Sequence, residues 1–96
     1  MVGKIGVLVN TDRNADDIVG FVKAAVDSGS QVSMFVMDDG TMITKELYDQ
    51  LCDVAEIALC DHSAREKGAE PVEGVAASSQ FQNAIMMHEA DKVVVF

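Results

Sequence analysis

The chain is expected to fold as an α/β domain built on a mainly parallel sheet of four or five strands. Three observations predict it. Apolar, β-branched runs of strand length recur along the sequence, segments with apolar residues at helical spacing lie between them, and the connections are short. Such alternation favours parallel strands joined by right-handed crossovers. No Pro/Gly/Ser-rich stretch divides the chain, so residues 1–96 read as a single domain.

The first run, "KIGVLVN" at residues 4–10, predicts a strand buried on both faces. A helix follows over residues 14–29. Asn14 stands at its start with Asp17 three residues on, the pattern of a capping box, and Asp16 and Asp17 suit the positive end of the helix dipole. Ile18, Phe21, Val22, Ala25 and Val26 form one apolar stripe, and Gly29 is a natural stop. "QVSMFVM" at residues 31–37 predicts the second strand, closed by an Asp38-Asp39-Gly40 turn. A short helix from Thr44 would carry Tyr48, Leu51, Cys52 and Ala55 on its packing face, and "AEIALC" would be the third strand, ending on Cys60. Residues 61–77 read as a looser segment around the single proline, Pro71, with "PVEGVA" as a short fourth strand. Ser79 and Gln82 then form an S-x-x-Q helix start, and Phe81, Ala84, Ile85 and His88 share one face of that helix. "KVVVF" at residues 92–96 is the last strand.

Composition excludes several functions. The net charge is −9, from 16 acidic and 7 basic residues, and the basic residues form no cluster; a phosphate backbone would be repelled, which argues against direct nucleic-acid binding. Apolar runs such as "VVVF" are far short of the roughly 20 residues that a spanning helix needs. "MVGKIGVLVN" lacks the longer apolar region and small-residue cleavage site of a signal peptide, so a cytoplasmic location with no membrane association is expected. The two cysteines, Cys52 and Cys60, are too few for a disulfide framework and miss the C-x-x-C spacing, so both are expected as reduced thiols. An apolar share of 49% is generous for so small a chain and points to cover by a partner subunit.

In parallel sheets, ligands collect at the carboxyl ends of the strands. Those ends would carry Asn10-Thr11-Asp12, Asp38-Asp39-Gly40 and Cys60-Asp61-His62-Ser63. Cys60 has two readings, a thiol presented for reaction or a small buried hydrophobe. Reaction would need a lowered pKa, to which His62 as an imidazolium, Arg65, Lys67 or backbone N–H groups just after Cys60 could contribute, while Asp61 would oppose it. Cys52 reads as packing, and His62 as either a partner of the thiol or a solvated loop residue. Asn10, Asp12, Asp38, Asp39 and Ser63 are the ligand candidates of this acidic edge; Asp12, Asp38 and Asp39 would suit a hard cation, although Asp-Asp-Gly is equally turn chemistry. A phosphoacceptor receiver domain is set aside because Cys60 occupies the place of its aspartate. Phosphate-cradling glycine motifs, G-x-S-x-G and H-E-x-x-H are all missing.

Three segments in this order resemble the DsrE/DsrF-like sulfur-relay proteins, which include the TusD-type sulfur carriers. They are "KIGVLVNTDRNADDIVGFVKAAVDSGSQVSMFVMDDG", then "LCDHSAREKG" with its strand-end cysteine and later basic-Gly pair, and the closing "EADKVVVF". Lys67 is the basic residue before Gly68. The resemblance implies a flavodoxin-like domain with helices on both faces of the sheet, and assembly into homotrimers or homohexamers. It also implies a cysteine that accepts sulfur as a persulfide and passes it to a partner thiol. Only Cys60 stands at the matching position. Such chemistry is thiol exchange and requires no metal or organic cofactor, only sulfur donor and acceptor proteins. The competing expectation is a non-catalytic oligomeric module that holds a small ligand, a metal or a protein tail along the acidic edge.

Overall fold

The computed structural model describes residues 3–96. Strand β1 (Lys4–Val9) leads into helix α1 (Ala15–Asp27), β2 (Gln31–Val36), a 3-10 turn (Asp38–Ile43), α2 (Thr44–Leu51), β3 (Glu56–Cys60), α3 (Asp61–Lys67), β4 (Ala76–Ser78), α4 (Gln80–Glu89) and β5 (Lys92–Val95). The five strands form one parallel sheet in the order β4-β3-β2-β1-β5, a flavodoxin-like α/β domain.

Handedness explains the layering. The chain steps from β1 to β2, β3 and β4 in one direction, so right-handed crossovers put α1, α2 and α3 on the same face. From β4 it returns across the whole sheet to β5, and the same rule sends α4 to the opposite face. The first face holds the main core: Val7 and Val9 of β1, Met34 and Val36 of β2, and Leu59 of β3 pack against Ile18 and Val22 of α1 and Leu47 and Leu51 of α2. The second face has a smaller core of Phe35, Ala58 and Cys60, flanked by Leu8, Met37, Met86 and Met87. Alternation along each strand makes this division, one residue set per face.

The α1 stripe is as expected, with Ile18 and Val22 fully buried, and Val19 is buried beside them. Its start differs. Asn14 takes a left-handed conformation (φ 63°) and makes no side-chain cap, so the capping box with Asp17 does not form. Gly29 (φ 94°) does end the helix, with the Gly29 and Ser30 N–H groups donating to Val26 and Ala25. Gly40 meets a packing demand, because a Cβ there would lie 2.5 Å from the Val9 carbonyl oxygen. Instead of a plain Asp38-Asp39-Gly40 turn, the chain winds into the 3-10 turn, held by Thr41 Oγ1 donating to the Asp38 carbonyl at 2.8 Å.

Four further expectations are corrected. The α2 packing face is Thr44, Leu47 and Leu51 with Tyr48 half-buried; the helix stops at Leu51, and Cys52, its C-cap, is exposed. Residues 61–67 are not loose but form α3, with Asp61–Arg65 (2.8 Å) and His62–Glu66 (2.7 Å) pairs one turn apart and Gly68 in the left-handed region at its end. Residues 71–75 turn instead of extending, with Val75 N–H donating to the Val72 carbonyl and Gly74 at φ 93°, so the fourth strand begins at Ala76. Finally, the stripe of Phe81, Ala84, Ile85 and His88 faces outward; Met86 and Met87 are the α4 residues that pack on the sheet.

Candidate functional site around Cys60

A topological switch point lies between β3 and β4. These strands are neighbours, yet β3 continues into α3 on one face and β4 into α4 on the other. Chains that diverge from adjacent strand ends leave a crevice between them, the usual ligand position in open α/β sheets. Cys60, the last residue of β3, stands in register with Ser78, the last of β4. Its side chain points to the α4 face, within the cluster of Phe35, Ala58 and Met37.

Cys60 is also the N-cap residue of α3. In this geometry no side-chain capping hydrogen bond closes. Burial pushes the Cys60 thiol up, but the Ser63 hydroxyl, the Ser63 N–H, the Gln80 side-chain amide and the His62 N–H together outweigh burial and hold it below its ordinary value. These donors come from the starts of both diverging helices. The Gln80 amide is itself oriented: Asn83 Nδ2 donates to Gln80 Oε1 at 3.1 Å, and Gln80 Nε2 donates to Met37 Sδ at 3.7 Å, which places the amide at the rim of the Cys60 cluster. Ser79 caps α4, its Oγ accepting from Gln82 N–H at 3.4 Å, which fixes where Gln80 begins the helix. The sulfur therefore lies near these groups without a closed capping bond, and only 2% of Cys60 is exposed.

The other sequence candidates fall in different places. Ser63, expected on the ligand edge, is buried beside Cys60 and serves the thiol. The His62 ring is exposed and its Nε2 pairs with Glu66 at 2.7 Å, so what His62 brings to the sulfur is its backbone N–H. Asp39 is bound at 2.9 Å by Lys67, linking α3 to the 3-10 turn, and this partner raises the Lys67 ammonium above its ordinary range. Asp38 is exposed with a positive φ of 49°. Asp12 lines a shallow groove with Asn14, Asp16, Asp17 and Glu46. Asn10 follows β1, with its N–H on the Phe96 carbonyl (2.9 Å) and its buried Oδ1 unpartnered. Among the described residues, no group of three or more His, Cys, Asp or Glu is arranged to hold a metal ion. None of the helices among the described residues is long and apolar enough to cross a membrane.

Sequence reasoning did not find Gln80 or Asn83. The S-x-x-Q signal announced the start of a helix, but only the strand order brings that start beside Cys60. Cys52, at the carboxyl end of α2, has its Sγ 3.7 Å from the Asp53 carboxylate. Compared with known proteins, the chain matches no family model, and no curated protein is significantly similar to it.

Proposed function

We propose that this protein is a small cytoplasmic sulfur carrier of the sulfurtransferase type, which takes up sulfane sulfur on Cys60 and hands it to a partner thiol. The observation that carries this reading is a single cysteine at the switch point, at the end of β3 between the starts of α3 and α4, with its thiol held below its ordinary value by the neighbouring Ser63, Gln80 and His62 groups. The resemblance of "LCDHSAREKG" and its flanking segments to DsrE/DsrF-like proteins points the same way, and with it to an assembly of three or six identical subunits.

The chemistry balances without a redox partner. Cys60 thiolate attacks the outer sulfur of a donor persulfide; a new S–S bond forms on Cys60, the donor's S–S bond breaks, and the donor leaves as a thiolate. An acceptor thiolate then attacks the outer sulfur of the Cys60 persulfide, and Cys60 departs as a thiolate. Both steps gain from a lowered thiol pKa, first by supplying the nucleophile and then by easing the leaving group. The groups that lower the thiol, from Ser63, Gln80 and His62, favour the anion each time.

Access requires the start of α4 to move, since Cys60 is covered. That helix buries none of its residues fully, so opening it exposes little core. Burial is also the observation that favours the second reading, in which Cys60 is packing and the fold is a non-catalytic oligomeric module that binds a small ligand or metal along its strand-end edge.

Intact-mass spectrometry after incubation with a persulfide donor separates the two. Cys52 is a second, exposed thiol, so the comparison is made in a Cys52→Ser background. A gain of about 32 Da, reversed by reductant and absent when Cys60→Ser is added, is the expected result. No gain, with Cys60 also inert to a thiol reagent, replaces the carrier with the binding module.

A further inference from the structure

We infer that the outer face of α4, together with β5, is where one copy of this chain docks on another. Four exposed apolar side chains mark it: Phe81 (75% exposed) and Ile85 (36%) on the helix, and Val93 (46%) and Val95 (59%) on the strand. They belong to the same side of the sheet, because Val93 and Val95 stand in register with Gly6 and Leu8, and Leu8 packs into the core beneath α4. The α4 stripe has the spacing of a packing face, yet Met86 and Met87 do the packing and the stripe is left outside.

β5 adds a second kind of unsatisfied surface. It is an edge strand, paired only with β1. Phe96 exchanges backbone hydrogen bonds with the β1 side, donating to Leu8 and accepting from Asn10. Alternation then turns the N–H and C=O groups of Val95 and Val93 toward the open edge, a template for another chain.

Charge selects the occupant. The exposed faces of α1 and α2 are net acidic, with Asp16, Asp17 and Asp27 against Lys23 on α1 and Glu46 and Asp49 against Lys45 on α2, while α3 balances Arg65 and Lys67 against Asp61 and Glu66. Residues 80–88 of α4 contain no Asp, Glu, Lys or Arg, in a chain of net charge −9. A basic partner would be drawn to the acidic helices and away from this neutral patch. Two copies of the chain repel one another over most of their surfaces, and here they meet without opposing like charges. The inference shares with the proposed function only the expectation of an assembly; it rests on no sulfur chemistry and stands if Cys60 never takes up sulfur.

Sedimentation velocity of the full chain tests it, with Phe81→Glu and Val95→Glu beside the parent. The parent is expected to sediment as an assembly at tens of micromolar, more tightly as salt rises from about 0.05 to 0.5 M because screening relieves the repulsion between copies. Each variant should weaken association at least about tenfold, with far-UV circular dichroism unchanged. The two substitutions lie on different elements, so if either fails to fold the other decides. A parent that stays a 10.3 kDa monomer at every concentration overturns the inference, as does an assembly that survives the substitution in folded protein.

Discussion

The two faces of the sheet are covered unequally, by α1, α2 and α3 on one side and by α4 alone on the other, and their chemistry differs accordingly. On the first face, interdigitating Val, Ile, Leu and Met side chains fill the space between sheet and helices, with eight of them at 0% exposure: Val7, Val9, Ile18, Val22, Met34, Val36, Leu47 and Leu51. On the second, Phe35 is the one large side chain buried completely, and the helix above it contributes two half-buried methionines and a polar start. Among the described residues, the core of the well-packed face contains no thiol. The thin one holds Cys60. A thiol that must meet an outside partner is better served by a cover that lifts than by a core that does not.

The largest expected effect breaks or confirms this asymmetry directly. Leu51→Ala should cost about 2–5 kcal/mol, because Leu51 is enclosed on every side. Met86→Ala on the opposite face should cost only about 1 kcal/mol, since its side chain is half-exposed already. Urea denaturation of the two variants measures both; equal losses would mean that α4 is anchored as firmly as α2.

A smaller effect sharpens the chemical side of the comparison. In a Cys52→Ser background, the alkylation rate of Cys60 should rise with pH around a midpoint below that of the same thiol in the urea-unfolded chain. Ser63→Ala removes a donor and should move that midpoint up, slowing alkylation at neutral pH by about tenfold. His62→Ala should leave it in place, because the ring is committed to Glu66. The stability linkage has a definite sign. The folded protein releases the Cys60 proton before the unfolded chain does, so the contribution is fully present above the ordinary thiol value and is lost as pH falls through the folded one.

The smallest effect concerns how α4 sits. Gly6 lets the helix approach β1: a Cβ there would lie 2.9 Å from Met87 Sδ and 3.2 Å from Ala90 Cβ. Met87 can bend away, so Gly6→Ala should cost about 1 kcal/mol. Alkylation of Cys60 should quicken as α4 loosens. A slower reaction would show that the added methyl seals the thiol.

Much of the well-packed face was legible in the sequence because burial leaves a period. The β1, β2 and β3 runs and the α1 stripe all follow from which residues avoid water. The thin face was not. The stripe at Phe81, Ala84, Ile85 and His88 obeys the same rule as a core stripe, and only the tertiary arrangement shows that it faces out. Helix α3 escaped notice because Ser63 and Ala64 are its only buried residues; local charge pairs and Gly68 define it instead of a hydrophobic period. The Cys52 reading failed one residue past the end of α2, where the helical face it assumed no longer exists. Of the candidate site, the strand-end cysteine and the N–H groups after it could be anticipated. The contribution of Gln80 could not, since it depends on β4 lying beside β3 and on α4 leaving by the other face.

The placement of β5 beside β1 has a consequence for how the chain reaches this structure. β1, α1 and β2 are contiguous and close on one another over short loops, whereas the Lys4 N–H bond to the Asp91 carboxylate at the foot of the β1–β5 pair joins groups 87 residues apart. Closing that long loop gains little until β4 is in position to launch α4 across the sheet. Until then one side of β1 is an open strand edge with apolar side chains on both of its faces, an aggregation-prone surface.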